Sequence, residues 1–226
     1  MPLLSVIIPV YNEEKTIGRI VQKISSLNID KEIIVVNDAS IDKTGEILNS
    51  LKLPNIKIFS HNSNLGKGAA FITGLKNSSG EIVVIQDADL EYDPCDYPRL
   101  IPAIIHNQAD LVLGVRFTKG YKGLLAHQLG NRLLTGILNI LYGSHLSDTY
   151  TCYKVARKSL FDSFNLSSND FGIDQEIISK ALKAKIKIKE VPVSYHPRSY
   201  SEGKKIRFYD AFKIIVEIVK LRFKGE

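Results

Sequence analysis

Hydrophobic positions in the first half of the chain fall into short β-branched runs, separated by stretches whose apolar residues recur at helical spacing. The runs predict strands at Leu4–Val10, Glu32–Val36, Asn55–Phe59, Glu81–Gln86 and Asp110–Val115, since such runs suit strands buried on both faces of a parallel sheet. Helices are expected at Glu13–Leu27, Asp42–Leu51, Gly66–Asn77 and Tyr97–Asn107. In the first of them Ile17, Ile20, Val21, Ile24 and Leu27 share one face. Strand–helix alternation of this kind implies an α/β fold: a mostly parallel central sheet with helices on both faces.

The second half changes character. Leu124–Tyr142 is a long apolar helical pattern, Ile173–Lys183 a further helix, and Ile186–Val193 a strand with Lys185, Lys187 and Lys189 facing outward. Pro192, which cannot donate to a ladder, points to a sheet edge or a bend. Ile206–Phe223 reads as an amphipathic basic helix with Phe208, Phe212, Ile215, Ile218, Val219 and Leu221 as its apolar face. No repeat or Pro/Gly-rich linker divides the chain, so residues 1–226 are expected to form one domain, with 206–226 as its basic C-terminal helix.

Composition narrows the class. The 226 residues are 44% hydrophobic and 24% charged, ordinary for a folded domain. No stretch approaches the roughly 18 apolar residues of a membrane span, and the apolar start lacks the basic region of a signal peptide. Cys95 and Cys152 have no metal-type spacing and are expected to be free thiols in a reducing cytoplasm. Net charge is +6, yet Leu182–Glu226 holds 12 Lys and Arg against 5 Asp and Glu. A basic tail on a near-neutral body suggests an anionic partner: a membrane surface, a phosphate-bearing substrate or nucleic acid.

Chemistry-bearing residues gather where strands end, the place where open α/β sheets bind ligands. The strand at 81–86 runs straight into Asp87, Asp89 and Glu91. Alternate side chains of an extended segment point the same way, so three carboxylates can converge and would need a cation among them. Oxygen ligands suit Mg2+ or Mn2+; the plain alternative is a solvated acidic loop. Three more segments stand at strand exits: Pro9–Glu14, Val36–Thr44 and the Gly-rich turn Asn64–Ala70. A Gly-rich helix start offers backbone N–H groups to phosphate. It is not a Walker A loop, because His61 stands at the first Gly position and Gly68 where Ser or Thr should follow the Lys. Asp42 reads as a helix cap.

Taken in order, these motifs resemble the family-2 glycosyltransferases, and within them the polyprenol-phosphate sugar synthases. The resemblance runs from Leu4 to about Arg207. It rests on Val6-Ile7-Ile8-Pro9-Val10-Tyr11-Asn12-Glu13, Val35-Val36-Asn37-Asp38-Ala39-Ser40, Asn64-Leu65-Gly66-Lys67-Gly68, Asp87-Ala88-Asp89-Leu90-Glu91, Gly114-Val115-Arg116-Phe117, Ser147-Asp148-Thr149 and Arg198-Ser199-Tyr200-Ser201-Glu202-Gly203-Lys204. It implies a GT-A fold that binds a nucleotide-sugar donor, with GDP-mannose and UDP-glucose both compatible. Pro9, Tyr11, Glu13 and Val36 would surround the nucleotide, with Asp38 on base or ribose. Gly68 would admit its close approach, Asp87 would face ribose or metal, and Asp89 and Glu91 would hold Mg2+ or Mn2+. The family often has Gln at the position of Glu91. Arg116, Arg132, Arg198 and Lys204 would gather around the acceptor phosphate and the leaving diphosphate, as guanidinium forks can.

An inverting in-line displacement onto a polyprenyl phosphate needs no general base, because the phosphate monoester is already largely ionised, its second pKa lying near ~6. A sugar-hydroxyl acceptor would need one, and Asp174 and Glu176 are the candidates, with ordinary first-turn acids as the plain alternative. A nucleic-acid module is disfavoured, since strand-end acids repel a phosphate backbone and no base-stacking platform is evident. Without a membrane span, the expectation is a cytoplasmic protein whose helices at 124–142 and 206–223 lie on the membrane's cytoplasmic face. Core packing or a dimer contact is the alternative for these helices, and the sequence leaves oligomeric state open.

Overall fold

A computed structural model describes residues 2–116, 125–198 and 210–223. Seven strands form one sheet in the order β3-β2-β1-β4-β6-β5-β7. They are β1 (Leu4–Val10), β2 (Lys31–Asn37), β3 (Ile56–Ser60), β4 (Ile82–Ile85), β5 (Leu111–Val115), β6 (Lys154–Arg157) and β7 (Ile188–Pro192). All pairings are parallel except those of β6, which runs antiparallel between β4 and β5. The helices are α1 (Ile17–Ser25), α2 (Thr44–Ser50), α3 (Lys67–Lys76), α4 (Tyr97–Ile105), α5 (Leu125–Tyr142), α6 (Lys158–Ser163), α7 (Ile173–Lys183) and α8 (Asp210–Phe223).

The apolar runs become the sheet's centre. Every side chain of β4, and Ile33, Ile34, Val35 and Val36 of β2, is buried. Pro9 is tolerated in β1 because β4 ends opposite Ile7, so Pro9 pairs only with Val36 on the β2 side. β7, with exposed Lys185, Lys187 and Lys189 in and before it, is an edge strand as Pro192 implied.

Two departures from expectation have local causes. Helix α1 starts at Ile17 rather than Glu13, because the N–H groups of Asn12, Glu13 and Glu14 are spent on Ser40, Thr44 and Asp42 side chains. Strand β6 and the short α6 were not expected: Lys-Val-Ala-Arg has charged ends and no apolar run. Lys154 nevertheless is fully buried, its ammonium 2.6 Å from Asp174 Oδ1. Both cysteines are free thiols. Among the described residues no helix is long and apolar enough to cross a membrane.

At the opposite end of the sheet from the strand-end acids, Glu32 joins β2 to its neighbours. Its carboxylate accepts from Ser5 Oγ (2.6 Å), Ser79 N (2.6 Å), Gly80 N (3.0 Å) and Lys57 Nζ (2.7 Å). Burial alone would raise its pKa, but Lys57, Ser5 and Ser79 outweigh it and hold the group at about 2. A folded-state pKa below the ordinary 4.5 stabilises the protein above that value and is lost as pH falls toward 2. Glu32→Gln is therefore expected to lower unfolding free energy by about 1–3 kcal/mol at pH 7. Urea unfolding should show a smaller gap from wild type at pH 3; an equal gap at both pH values would remove the charge from the explanation.

Candidate active site

The exits of β2, β1 and β4 lie side by side and form one polar edge. Asn12, at φ 53°, turns the chain out of β1. Its N–H donates to Ser40 Oγ, and its side-chain oxygen accepts from Ile41 N. Asp42, just before the Lys43 N-cap of α2, accepts from the N–H groups of Thr44 and Glu14. Pro9 and Tyr11 are partly exposed at this edge, where a ligand can reach them. Val36 is not: its side chain is wholly buried, its Cγ2 packed against Gly74 of α3.

Asp38 and the Gly-rich turn are engaged by other parts of the chain. Asp38 is 3% exposed, and its carboxylate accepts from Leu65 N (2.9 Å) and Gly66 N (2.8 Å) and meets His61 Nδ1 at 2.7 Å. In this geometry it closes the 61–66 turn. Gly66, at φ 100°, and Gly68 permit a close approach, but by the chain itself. A Cβ on Gly68 would sit 2.0 Å from Ser168 O, and one on Gly66 2.4 Å from Asn169 O. The 167–169 segment that fills this space is held by Glu176. That carboxylate is buried, accepts from the N–H groups of Ser167 and Ser168, and pairs with Lys180 at 2.8 Å.

At the end of β4 the acids meet cations. Lys67 Nζ lies 2.9 Å from Asp87 Oδ1 and 3.2 Å from Asp174 Oδ2, and Lys154 takes the other oxygen of Asp174. The chain Asp87–Lys67–Asp174–Lys154 ties β4, α3, α7 and β6 together with alternating charge. Burial would raise the Asp174 pKa, but Lys154 and Lys67 reverse the effect and hold it below the usual carboxylate range. Asp89 is pushed up to about 7, by burial first and then by Asp87 and Glu91, against the pull of Arg198. The Arg198 fork spans Asp89 Oδ2 (3.1 Å) and Glu13 (3.0 and 3.3 Å).

Glu91 is directed elsewhere. One oxygen accepts from Tyr195 OH at 2.7 Å and the other from Arg198 N at 2.8 Å. In this arrangement the carboxylate clamps the 195–198 segment. Among the described residues no three His, Cys, Asp or Glu side chains form a ready-made metal cage. The donor set still fits Mg2+ or Mn2+, which commonly takes one or two carboxylates and completes its shell with substrate phosphates and water. Asp89, already drawn to a guanidinium cation, is the residue that would hold it.

Of the remaining predicted cations, Arg116 is 8% exposed and forks onto Asp148, Nε to Oδ2 and Nη2 to Oδ1, both at 2.8 Å. Its guanidinium also lies 5.3 Å from the Tyr195 ring centre. Arg132 is exposed on α5. Lys204 and the rest of the 199–209 stretch lie outside the described residues. Sequence reasoning missed the parts played by Lys67, Asp148, Lys154 and Tyr195. Lys67 and Asp148 sat inside recognised motifs without an assigned role, and nothing local marked Lys154 or Tyr195.

Residues 5–164 match Glycosyl transferase family 2. The chain is 31% identical over 204 residues to the low-salt glycan biosynthesis hexosyltransferase Agl6 of Haloferax volcanii, covering 87% of this chain and 48% of that protein. It is 30% identical to a dolichol-phosphate mannosyltransferase of Pyrococcus furiosus, covering 99% and 65% of the two chains. Identity is 31% to a UDP-N-acetylglucosamine–dolichyl-phosphate N-acetylglucosaminyltransferase of Methanococcus voltae, covering 97% and 96%. The chain therefore spans about half the length of the first of these and just under two thirds of the second. In fold it superposes on Mycobacterium tuberculosis glucosyl-3-phosphoglycerate synthase, solved with Mn2+, uridine diphosphate and phosphoglyceric acid. The TM-score is 0.76 at 20% identity, covering 100% of this chain and 80% of that one, and the architecture is the GT-A type. Since the family match takes in β1 through β6 and every strand-end acid, the chain belongs to glycosyl transferase family 2.

Proposed function

We propose that the protein transfers a hexose from a nucleoside-diphosphate sugar to a polyprenyl phosphate, inverting the anomeric carbon, with Mg2+ or Mn2+ held at Asp89. The observation that carries this reading is the state of Asp174 and Glu176. Both oxygens of Asp174 are taken by lysines, and the Glu176 carboxylate is engaged by Ser167, Ser168 and Lys180. Neither acid is placed to accept a proton from an acceptor hydroxyl, which favours an acceptor that arrives already ionised. The names of the Pyrococcus and Methanococcus relatives, each carrying a dolichol or dolichyl phosphate, support the same class.

In this reading Pro9, Tyr11 and Glu13 line the donor edge, and Lys67 fixes Asp87 beside Asp89. A bound divalent cation would offset charge on the departing nucleoside diphosphate. Arg132 and Lys204 are proposed to meet the acceptor phosphate. Helices α5 and α8 pack together, with Arg222 Nε donating to Leu141 O. They expose Leu129, Leu133, Ile140, Val219 and Phe223, and the last turn of α8 carries Lys220 and Arg222. We read this face as contacting an anionic headgroup layer.

One experiment tests donor, metal and surface together. The chain is given labelled GDP-mannose, UDP-glucose or UDP-N-acetylglucosamine, with polyprenyl phosphate in anionic vesicles. Label is expected in the lipid phase with one donor, lost on chelation, with the protein sedimenting on the vesicles at low salt. Donor hydrolysis without lipid product would move the reading to a hydroxyl acceptor; protein left in the supernatant would sink the surface contact.

A further inference from the structure

The cation on Asp89 in this structure belongs to the protein. The Arg198 guanidinium bridges Glu13 on the β1 exit and Asp89 on the β4 exit, with all three side chains less than one-fifth exposed. Its delivery is built in. Glu91 O accepts from His196 N (2.8 Å), and the Glu91 carboxylate accepts from Tyr195 OH and Arg198 N. Tyr92 and Tyr195 form an isolated β-bridge, their ring centres 5.2 Å apart, while the Arg116 guanidinium covers the Tyr195 ring. The segment before Arg198 is thus fastened to the residues around Asp89 by backbone, carboxylate and ring contacts.

The hold on the guanidinium itself is incomplete. Arg198 Nε is buried and has no hydrogen-bond partner among the described residues. Among the described residues, the Arg198 guanidinium pairs with two carboxylates, Glu13 and Asp89. A divalent cation arriving at Asp89 would meet both an attractive carboxylate and a like charge a few ångströms away.

We propose that Arg198 is a resident counter-ion of the donor site, competing with the divalent cation for Asp89, and that Glu91 acts by positioning Arg198, not by ligating the metal. The proposal rests on the reading of Asp89 as the cation's ligand. Cation binding then displaces the guanidinium from Asp89 while the Glu91 clamp keeps it close, where it can turn to the anionic substrates. The acids carry a stand-in cation when the site is empty, so the loop and the strand ends are already assembled before the donor arrives.

The test is Mn2+ binding followed by the electron paramagnetic resonance signal of the free ion, for the full chain with and without uridine or guanosine diphosphate. Arg198→Gln is expected to bind Mn2+ about tenfold more tightly than wild type without nucleotide, because a like charge has gone. Arg198→Lys, which keeps the charge, is expected to stay close to wild type. Glu91→Gln should also stay close, since the amide can still accept from the Arg198 N–H and donate to the Tyr195 hydroxyl. Unchanged or weaker Mn2+ binding in Arg198→Gln would overturn the competition while leaving the metal reading intact. Loss of binding in Glu91→Gln would make Glu91 a ligand and overturn the positioning role. A wild type that binds no Mn2+ under any condition would take down the metal reading, and this proposal with it.

Discussion

Asp148→Ala is expected to destabilise the fold by about 3–5 kcal/mol, the usual consequence of leaving a buried charge without its partner. Asp148 is fully buried and takes both arms of the Arg116 fork as well as the Arg116 N–H. Arg116 cannot shed its proton to escape: burial works against the charge, but Tyr92 and Asp148 more than restore it. Equilibrium urea unfolding measures the loss directly. Replacing both partners with apolar residues, Arg116→Met with Asp148→Leu, is expected to cost much less than the single change, because no orphan charge remains. A single-variant loss below about 1 kcal/mol would mean that water reaches the Arg116 guanidinium and that its burial has been overstated.

Asp89→Asn is expected to reduce hexosyl transfer by about 10²- to 10³-fold, the range seen when a group that stabilises developing charge is removed. The fold should not suffer. Burial and its acidic neighbours already make the Asp89 carboxylate an unfavourable charge, with its pKa pushed up to about 7. Thermal unfolding is therefore expected at or above the wild-type temperature, while transfer collapses. Asp87 offers the contrast, because its partner Lys67 also holds Asp174; removing Asp87 disturbs a structural pair as well as the site. If Asp89→Asn kept more than a tenth of wild-type transfer, the cation would have to be held elsewhere.

The sheet was largely legible because its parallel strands are announced locally. Ile82–Ile85 and Ile33–Val36 are apolar on both faces, and a residue's own neighbours are enough to say so. Strand β6 was not legible, since Lys154 behaves as a core residue only because Asp174, 20 positions later, meets its charge. The same distinction runs through the site. Sequence placed Glu13, Asp87 and Asp89 at the strand ends, and the fold brings them to one edge. Asp38, Gly68, Glu91 and Glu176 have the chemistry of ligands, yet each is turned toward another part of the chain. Glu91 meets Arg198 N across 107 positions and Gly68 packs under Ser168. Whether a carboxylate is available to a ligand depends on which distant loop reaches it first, and no local pattern records that.

The most direct test of the proposed reaction compares two acceptors that differ in a single group. The chain, its preferred donor and the divalent cation are incubated with a polyprenyl phosphate or with the same polyprenol lacking phosphate, and the lipid product is identified by mass spectrometry. The account predicts a hexosyl phosphodiester from the phosphate and no product from the alcohol, because neither Asp174 nor Glu176 is placed to take a hydroxyl proton. Glycosylation of the alcohol, or transfer to a sugar hydroxyl with the phosphate left untouched, would contradict it.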